Sequence, residues 1–437
     1  MAESTAAESE GDADPLDSFR QFVAMPRDVL VLSVAMFAFS LGFQMTTRYV
    51  PEYMRVLGAG PVVVGLYKSL GDLIGAVYPY PGGAVSDRVG SRVALTVFGF
   101  VSALGFAFWL VAPGLSLSLG PVTIPGWVWI FVGLFLVQAW KSFGLGATFA
   151  VVKQSTEPQH LAAGFASTET FRRVGFLLGL LAATALLAVT ASFVVGFQAI
   201  LAVAIVFAVA GTVVQHFLYD SAADTIGKSF EGIAGIRRDL REMPDPLQPL
   251  LLGDTLVRFG NGMIYAFVIF VITDIWQLEA TVFGIALGPA AFFGVLLAVE
   301  MVVALLSMYP VARLAERTGL KPVVGLGFVV YAVFPVVLIT APPDPLVVGA
   351  IFAFSGLRFA GLPAHKALIV GPAEQDTGGR VTGTYYLVRN TVVIPSGVVG
   401  GLLYGFDPTV AFAVATAIGL LGTGLFLVFG EEFPAYA

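Results

Sequence analysis

The sequence predicts an all-α membrane protein of twelve transmembrane helices, arranged as two pseudo-symmetric six-helix bundles. Three observations carry this reading. Of 437 residues, 57% are hydrophobic and only 12% are charged, and the mean hydropathy is +0.88. Apolar runs long enough to cross a bilayer recur along the whole chain. Lys and Arg concentrate in alternate connections between those runs.

A soluble domain carries roughly 25% charged residues to cover its surface. Half that share leaves too little polar surface for water, so lipid must face most of the exterior. A bilayer core of about 30 Å takes about 20 apolar residues per helix. On that measure the spans are 28–50, 61–84, 91–113, 127–152, 162–188, 193–218, 250–275, 289–311, 322–341, 346–370, 380–404 and 408–430. Pro51, Pro61, Pro121, Pro125, Pro342, Pro343 and Pro345 punctuate the short connections, where proline stops helices. With no cysteine, disulfides, thiolate chemistry and Cys-ligated metals are excluded. His160, His216 and His365 have no metal-like spacing, so neither a metal nor a cofactor is expected.

Residues 1–27 are acidic, with Glu3, Glu8, Glu10, Asp12, Asp14 and Asp17, and lack the basic start and apolar core of a secretory signal. They read as a disordered tail, and 431–437 as a second tail. Thirteen Lys and Arg fall in the tail and connections on one side, and Arg55 alone in those on the other. The positive-inside rule then places both termini in the cytoplasm of a cell-membrane protein. The longest connection, 219–249, carries Ile226, Phe230, Ile233, Ile236 and Leu240 at helical spacing beside Arg237, Arg238 and Arg241. This is the pattern of an amphipathic helix lying on the membrane and joining bundle 28–218 to bundle 250–430. A regulatory or partner-binding helix is the alternative.

The chain repeats itself. Pro81, Gly83, Asp87, Arg88, Gly90 and Arg92 recur 229 residues later as Pro310, Ala312, Glu316, Arg317, Gly319 and Lys321, and Gly65 pairs with Gly294 at the same offset. Lys141, Gly144 and Arg172 recur at an offset of 217 as Arg358, Gly361 and Arg389. Two parallel halves follow, the arrangement in which secondary transporters place a substrate site between the halves near the midplane.

The string Gly83-Ala-Val-Ser-Asp87-Arg88-Val-Gly90-Ser-Arg92, placed in the turn after the second span, matches the loop motif G-x-x-x-D-R-x-G-x-R. With the degenerate second copy around Glu316, Arg317, Gly319 and Lys321, the chain from about residue 28 resembles the major facilitator superfamily. The resemblance implies a transporter in which Asp87 and Arg88 latch the halves together on the cytoplasmic side, near Arg380 and Thr382. Glu316 and Arg317 would do the same at the start of the fifth span. The plainer alternative is that these residues fix only topology and a turn. Two antiporter signatures of the family are absent. Lys141 lies three residues before Gly144, with Trp140 in the expected basic place, and the run from Gly175 to Gly179 lacks its proline.

Charges within spans cost several kcal/mol each and so face a cavity or a partner. The spans hold eight cations (Arg48, Lys68, Lys141, Arg172, Arg173, Arg258, Arg358 and Arg389) and four anions (Asp72, Glu169, Asp254 and Glu300), an excess of four positive charges. Such an excess favours an anionic or zwitterionic solute. Lys68 with Asp72, Asp254 with Arg258, and Glu169 with Arg172 and Arg173 stand three or four apart, so each set can neutralise itself on one helix. The resemblance puts the first, fourth, seventh and tenth spans around the cavity, which makes Gln44, Arg48, Gln138, Lys141, Asp254, Arg258, Asn261, Tyr265 and Arg358 its candidate lining. Packing or interhelical hydrogen bonds are the alternative for each. For coupling to an ion gradient, Glu300 ranks first, because no basic residue lies within four positions of it and desolvation would raise its pKa unless another helix supplies a cation. Asp72 follows, with Glu169, Arg172 and Arg389 as further candidates.

No nucleotide-binding loop and no catalytic constellation is present, so neither an ATP-driven pump nor an enzyme is expected. The reading is a secondary active transporter of a small solute, driven by protons. Drug or amphiphile antiport is the alternative within transport, and a non-transporting sensor on the same scaffold is the alternative outside it. The expected partners are the bilayer and a small-molecule substrate, without nucleic acid, and the chain is expected to be monomeric.

Overall fold

The computed structural model describes residues 27–119, 122–143, 161–219, 245, 247–370 and 378–432. The acidic segment 1–26 and most of the connecting segment 219–249 lie outside these residues. The described chain is almost wholly helical. In the first half come α1 (Arg27–Thr47), α2 (Val50–Val56), α3 (Pro61–Val77), α4 (Pro79–Val89), α5 (Ser91–Val111), α6 (Val128–Gln138), α7 (Leu161–Val189) and α8 (Phe193–Leu218). In the second come α9 (Leu247–Ile264), α10 (Val268–Ile275), α11 (Pro289–Thr318), α12 (Leu320–Thr340), α13 (Pro345–Gly356), α14 (Leu362–Val370), α15 (Gly378–Val393), α16 (Ser396–Phe406) and α17 (Pro408–Phe429). Two small antiparallel hairpins, β1–β2 (Leu117–Leu119 with Val122–Ile124) and β3–β4 (Ala280–Val282 with Ile285–Leu287), fill connections.

Helix starts follow local chemistry. Proline is the first residue of α3, α11, α13 and α17, where its missing N–H is not needed. Asp344 caps α13 by accepting from the N–H groups of Leu346 and Val347, and Asp407 caps α17 by accepting from that of Val410. Gly90 (φ 83°) and Gly319 (φ 92°) each join two helices as a single residue in the left-handed region. The motif string therefore does not lie in a turn, as the sequence suggested. All of it except Gly90 is helical, because nothing before that glycine breaks the helix.

Nine helices among the described residues are long and apolar enough to cross a membrane, or ten if α9 and α10, bent by 44° at their junction, form one span. Val128–Ser142 is apolar but shorter. Large apolar side chains stand fully outward, such as Leu306, Phe217 and Phe406, as a lipid-facing exterior requires. The protein is a multi-pass membrane protein.

The halves meet along two seams, α3 against α16 and α7 against α11. Both depend on glycine. A Cβ on Gly65 would sit 2.2 Å from the carbonyl oxygen of Gly397, and one on Gly401 2.6 Å from that of Pro61. In the second seam a Cβ on Gly294 would sit 2.2 Å from Thr184 Oγ1 and 2.4 Å from the Tyr49 hydroxyl. Close backbone approach is how membrane helices gain packing contacts when lipid supplies no hydrophobic drive. The Val398 N–H adds a hydrogen bond to Ser69 Oγ (3.1 Å). We predict that Gly65→Ala forces the α3–α16 backbones apart at a cost of about 1–3 kcal/mol. Thermal unfolding in detergent should show a lower midpoint than for Gly75→Ala, whose Cβ would meet nothing within 4 Å.

Candidate functional site

Against the second half, where Arg48 of the first half reaches it, lies a small cavity with room for about one water molecule, lined by Arg48, Asn261, Ile264, Tyr265, Val268, Leu297, Glu300, Phe334, Phe352 and Arg358. Five sequence-predicted residues, Arg48, Asn261, Tyr265, Glu300 and Arg358, thus come together at one place. They arrive from α9, α11 and three helix interruptions. Arg48 stands in the two-residue break between α1 and α2, Tyr265 in the bend between α9 and α10, and Arg358 in the 3-10 turn Leu357–Phe359 after α13. Lys141 belongs to a fourth interruption, the π-turn Ala139–Phe143 that follows α6.

Glu300 does not stand alone. Arg358 Nη2 donates to its Oε1 (2.7 Å) and Ser355 Oγ to its Oε2 (3.2 Å), with all three side chains buried. Another helix supplies the cation that the expectation for Glu300 excepted: α11 packs on α13 and the turn beyond it, and that turn carries Arg358. Likewise Arg358, without a partner on its own helix, finds one 58 residues away. It is also clasped by Tyr331, Phe334 and Phe359, whose ring centroids lie 4.8–5.4 Å from its guanidinium.

Arg48 differs. Its guanidinium lies 4.2 Å from the Tyr265 ring centroid, its Nε is buried without a hydrogen-bond acceptor, and no carboxylate pairs with it among the described residues. The Nε of Arg358 is also buried and unpartnered. Lys141, exposed, hovers 5.8 Å from the Phe43 ring centroid, away from the cavity lining. Lys68 pairs with Asp72 as its spacing suggests, and its ammonium lies 5.9 Å from the Tyr265 ring centroid.

Asp254, expected to line the cavity, does not. Its carboxylate is wholly buried inside the second half. It accepts from Arg258 Nε (3.1 Å), Arg389 Nη1 (3.0 Å) and the Tyr385 hydroxyl (3.2 Å), with His365 Nε2 3.3 Å away. One anion thereby ties α9, α14 and α15 together. Arg389 Nε and Nη2 donate to Asn390 Oδ1, so the second guanidinium on Asp254 is also held by a neutral amide within the half. Gln44 and Gln138 lie off the cavity, and Gln138 Oε1 is buried without a partner. Arg172 lies 4.9 Å from the Phe176 ring centroid, and Arg173 Nη1 is 3.2 Å from Met308 Sδ across the α7–α11 seam. Of the proposed latch, the side chains of Asp87, Glu316 and Arg380 lie outside the described residues, as does that of Glu169. Arg88 and Arg317 are exposed at the end marked by Gly90 and Gly319.

The opposite end carries a clasp that sequence reasoning missed. Arg55 on α2 forks onto Glu52 (Nε–Oε2 2.9 Å, Nη2–Oε1 2.7 Å) and reaches Asp274 on α10 through Nη1 (2.8 Å). Thr273 Oγ1 donates to Glu52 Oε2 (2.9 Å). The first half is thus bonded to the second. Only the Glu52–Arg55 part was visible as an i, i+3 spacing.

The backbone path is shared with proteins of known structure. A crystal structure of the nucleoside transporter NupG matches with a TM-score of 0.72, at 12% identity over 93% of this chain and 99% of that one. A POT family transporter in complex with 5-aminolevulinic acid matches with a TM-score of 0.73, at 13% identity over 93% and 96%. An uncharacterised MFS-type transporter from Methanocaldococcus jannaschii is 21% identical over 407 residues, 93% of this chain and 95% of the relative. The chain has the major facilitator fold. No protein-family model matches it. The resemblance read from the Gly83–Arg92 string and the repeat stands, and transport is what this major facilitator relative and the structural neighbours share; they are not enzymes.

Two substitutions separate the roles of the charge clusters. Asp254→Asn leaves Arg258 and Arg389 without a buried counter-charge and should destabilise the protein by about 3–5 kcal/mol. Asp274→Asn breaks a half-exposed pair and should cost about 1 kcal/mol or less. Thermal midpoints in detergent would show the ranking, and equal midpoints would contradict it.

Proposed function

We propose that the protein is a secondary active transporter of a small anionic or zwitterionic solute. Its twelve spans form bundles 28–218 and 250–430, which alternate access to the cavity around Arg48. Both termini are cytoplasmic in a cell membrane, the Arg55 end faces outside, and the Glu52–Arg55–Asp274 clasp closes that end in the state described. The observation that carries the reading is Arg48: a guanidinium with no carboxylate partner among the described residues, reaching from the first half into a cavity of the second, with the two halves bonded to each other at one end. Permanent positive charge at such a place is stable only with an anion beside it. The neighbours' names point to small polar solutes, nucleosides and 5-aminolevulinic acid among them.

Protons are the proposed coupling ion, with the Glu300–Arg358 pair as the first place for them to act and Asp72 the second. Protonating Glu300 would release Arg358 to the cavity. The test is uptake into proteoliposomes of radiolabelled small carboxylic and amino acids, with and without an imposed proton gradient. Gradient-driven accumulation abolished by a protonophore is expected. Glu300→Gln should lose accumulation while solute exchange persists. Gradient-independent flux in the unaltered protein, or full accumulation by Glu300→Gln with the same pH dependence, would remove proton coupling at this pair. No flux of any member of the panel would favour the sensor reading.

A further inference from the structure

The connection between α10 and α11 is built differently from its counterpart in the first half. Residues 57–60 suffice to join α2 to α3, whereas residues 276–288 join α10 to α11. The extra length folds as the β3–β4 hairpin, whose two-residue loop is Phe283-Gly284. Both loop residues are in the left-handed region, with φ 49° and 80°. Such loops favour Asn-Gly or Asp-Gly, because those residues reach positive φ at little steric cost. For a bulky phenylalanine the same backbone is strained. Phe283 is nevertheless 101% exposed, so the rest of the chain covers none of it. The hairpin does not need its ring to fold: Ala280 and Val282 pack against the core, and Leu287 is buried.

The place of the hairpin says what meets its tip. Asp274, at the end of α10, is bonded to Arg55, and Pro289 opens the span α11 one residue after the hairpin and Gly288. The hairpin therefore hangs at the Arg55 end of the bundle, directly on a span. Because successive spans run in opposite directions, the end of α7, the start of α13 and the end of α16 lie at that end too. They carry Val189, Leu346 and Phe406, which are 81%, 85% and 82% exposed. With Phe283 these are the four most exposed large apolar side chains among the described residues. An apolar fringe at one end of a lipid-facing bundle suits the boundary between headgroups and acyl chains, not water. The connection 276–288 has a single charged residue, Glu279, so little opposes a shallow insertion.

We propose that the β3–β4 hairpin is a membrane-interface anchor: Phe283, with the exposed Ile285 beside it, seats among the headgroups and upper acyl chains of the leaflet at the Arg55 end. Burial of the ring in lipid offsets the strain of its backbone, which nothing within the chain does. The anchor fastens the α10–α11 connection to the bilayer surface. The first half has no hairpin at the matching α2–α3 connection, so this tie belongs to the second half.

The chain has no cysteine, so one introduced thiol carries a nitroxide label at a single place. The full chain is labelled at Phe283→Cys, Ile285→Cys or Glu279→Cys and reconstituted in phosphatidylcholine vesicles. Electron paramagnetic resonance then compares collisions of the label with oxygen, which dissolves in acyl chains, and with a water-soluble nickel chelate. The oxygen-to-nickel ratio should be at least threefold higher at 283 and at 285 than at 279. The label at 285 leaves Phe283 in place, so it decides even if the 283 variant does not fold. Ratios at 283 and 285 no higher than at 279 would put the tip in water and overturn the anchor. Spin–spin broadening at either position that fades when the chain is diluted with lipid would place a second copy of the chain on the tip instead, and would overturn it as well.

Discussion

A charge inside a lipid-embedded bundle must find its counter-charge within the protein, and the arrangement of this molecule follows from how that demand is met. Asp254 satisfies Arg258 and Arg389 together and so fixes α9 to α15. Glu300 satisfies Arg358 and ties α11 to the turn after α13. Asp72 satisfies Lys68 within α3. Glu52 and Asp274 satisfy Arg55 from two different halves. Each pairing is both an electrostatic necessity and a structural tie. Among the described residues Arg48 has no such tie, and it stands in the cavity.

The ties differ in what breaking them does. Those at Asp254 and Glu300 close within the second half, so they hold through any movement of one half against the other. The Arg55–Asp274 pair and the α3–α16 and α7–α11 seams cross between halves, so on the proposed alternating access these are the contacts that would change. The chemistry is graded to match. The internal carboxylates are buried, where losing a partner is expensive, whereas Asp274 is half exposed, where an ion pair contributes about 1 kcal/mol or less. The α3–α16 seam sets glycine backbone against glycine backbone, whereas the α7–α11 seam seats Gly294 against the Thr184 and Tyr49 side chains.

Hydropathy made most of the helix boundaries legible to within a few residues, because lipid imposes one length on each span. Gly65 and Gly294, paired in the sequence by offset alone, each sit in one of the two seams where a Cβ would clash. What sequence spacing could not reach is contact across helices. The Lys68–Asp72 and Asp254–Arg258 pairs were readable because they are four apart on one helix. Glu300 with Arg358, Asp254 with Arg389 and His365, and Arg55 with Asp274 were not, because a helical period reports only its own helix. That is why Glu300 looked isolated and Asp254 looked available, when packing makes each a partnered group.

The same limit explains where the cavity lies. A periodic apolar pattern reads as one unbroken helix, yet three of the residues that line the cavity, Arg48, Tyr265 and Arg358, stand where the helix is interrupted, by a two-residue break, a 44° bend and a 3-10 turn. Such interruptions strand backbone polar groups, which at membrane depth is tolerable only against protein or a polar cavity. They also let a side chain leave the helix surface at an angle that regular geometry forbids. An arginine on a straight helix can lie along its own helix and be neutralised there, as Arg258 is by Asp254 four residues before it. At a break it projects into the space between the halves instead. The departures from regular helix thus place at the cavity a cation, Arg48, that has no carboxylate partner among the described residues.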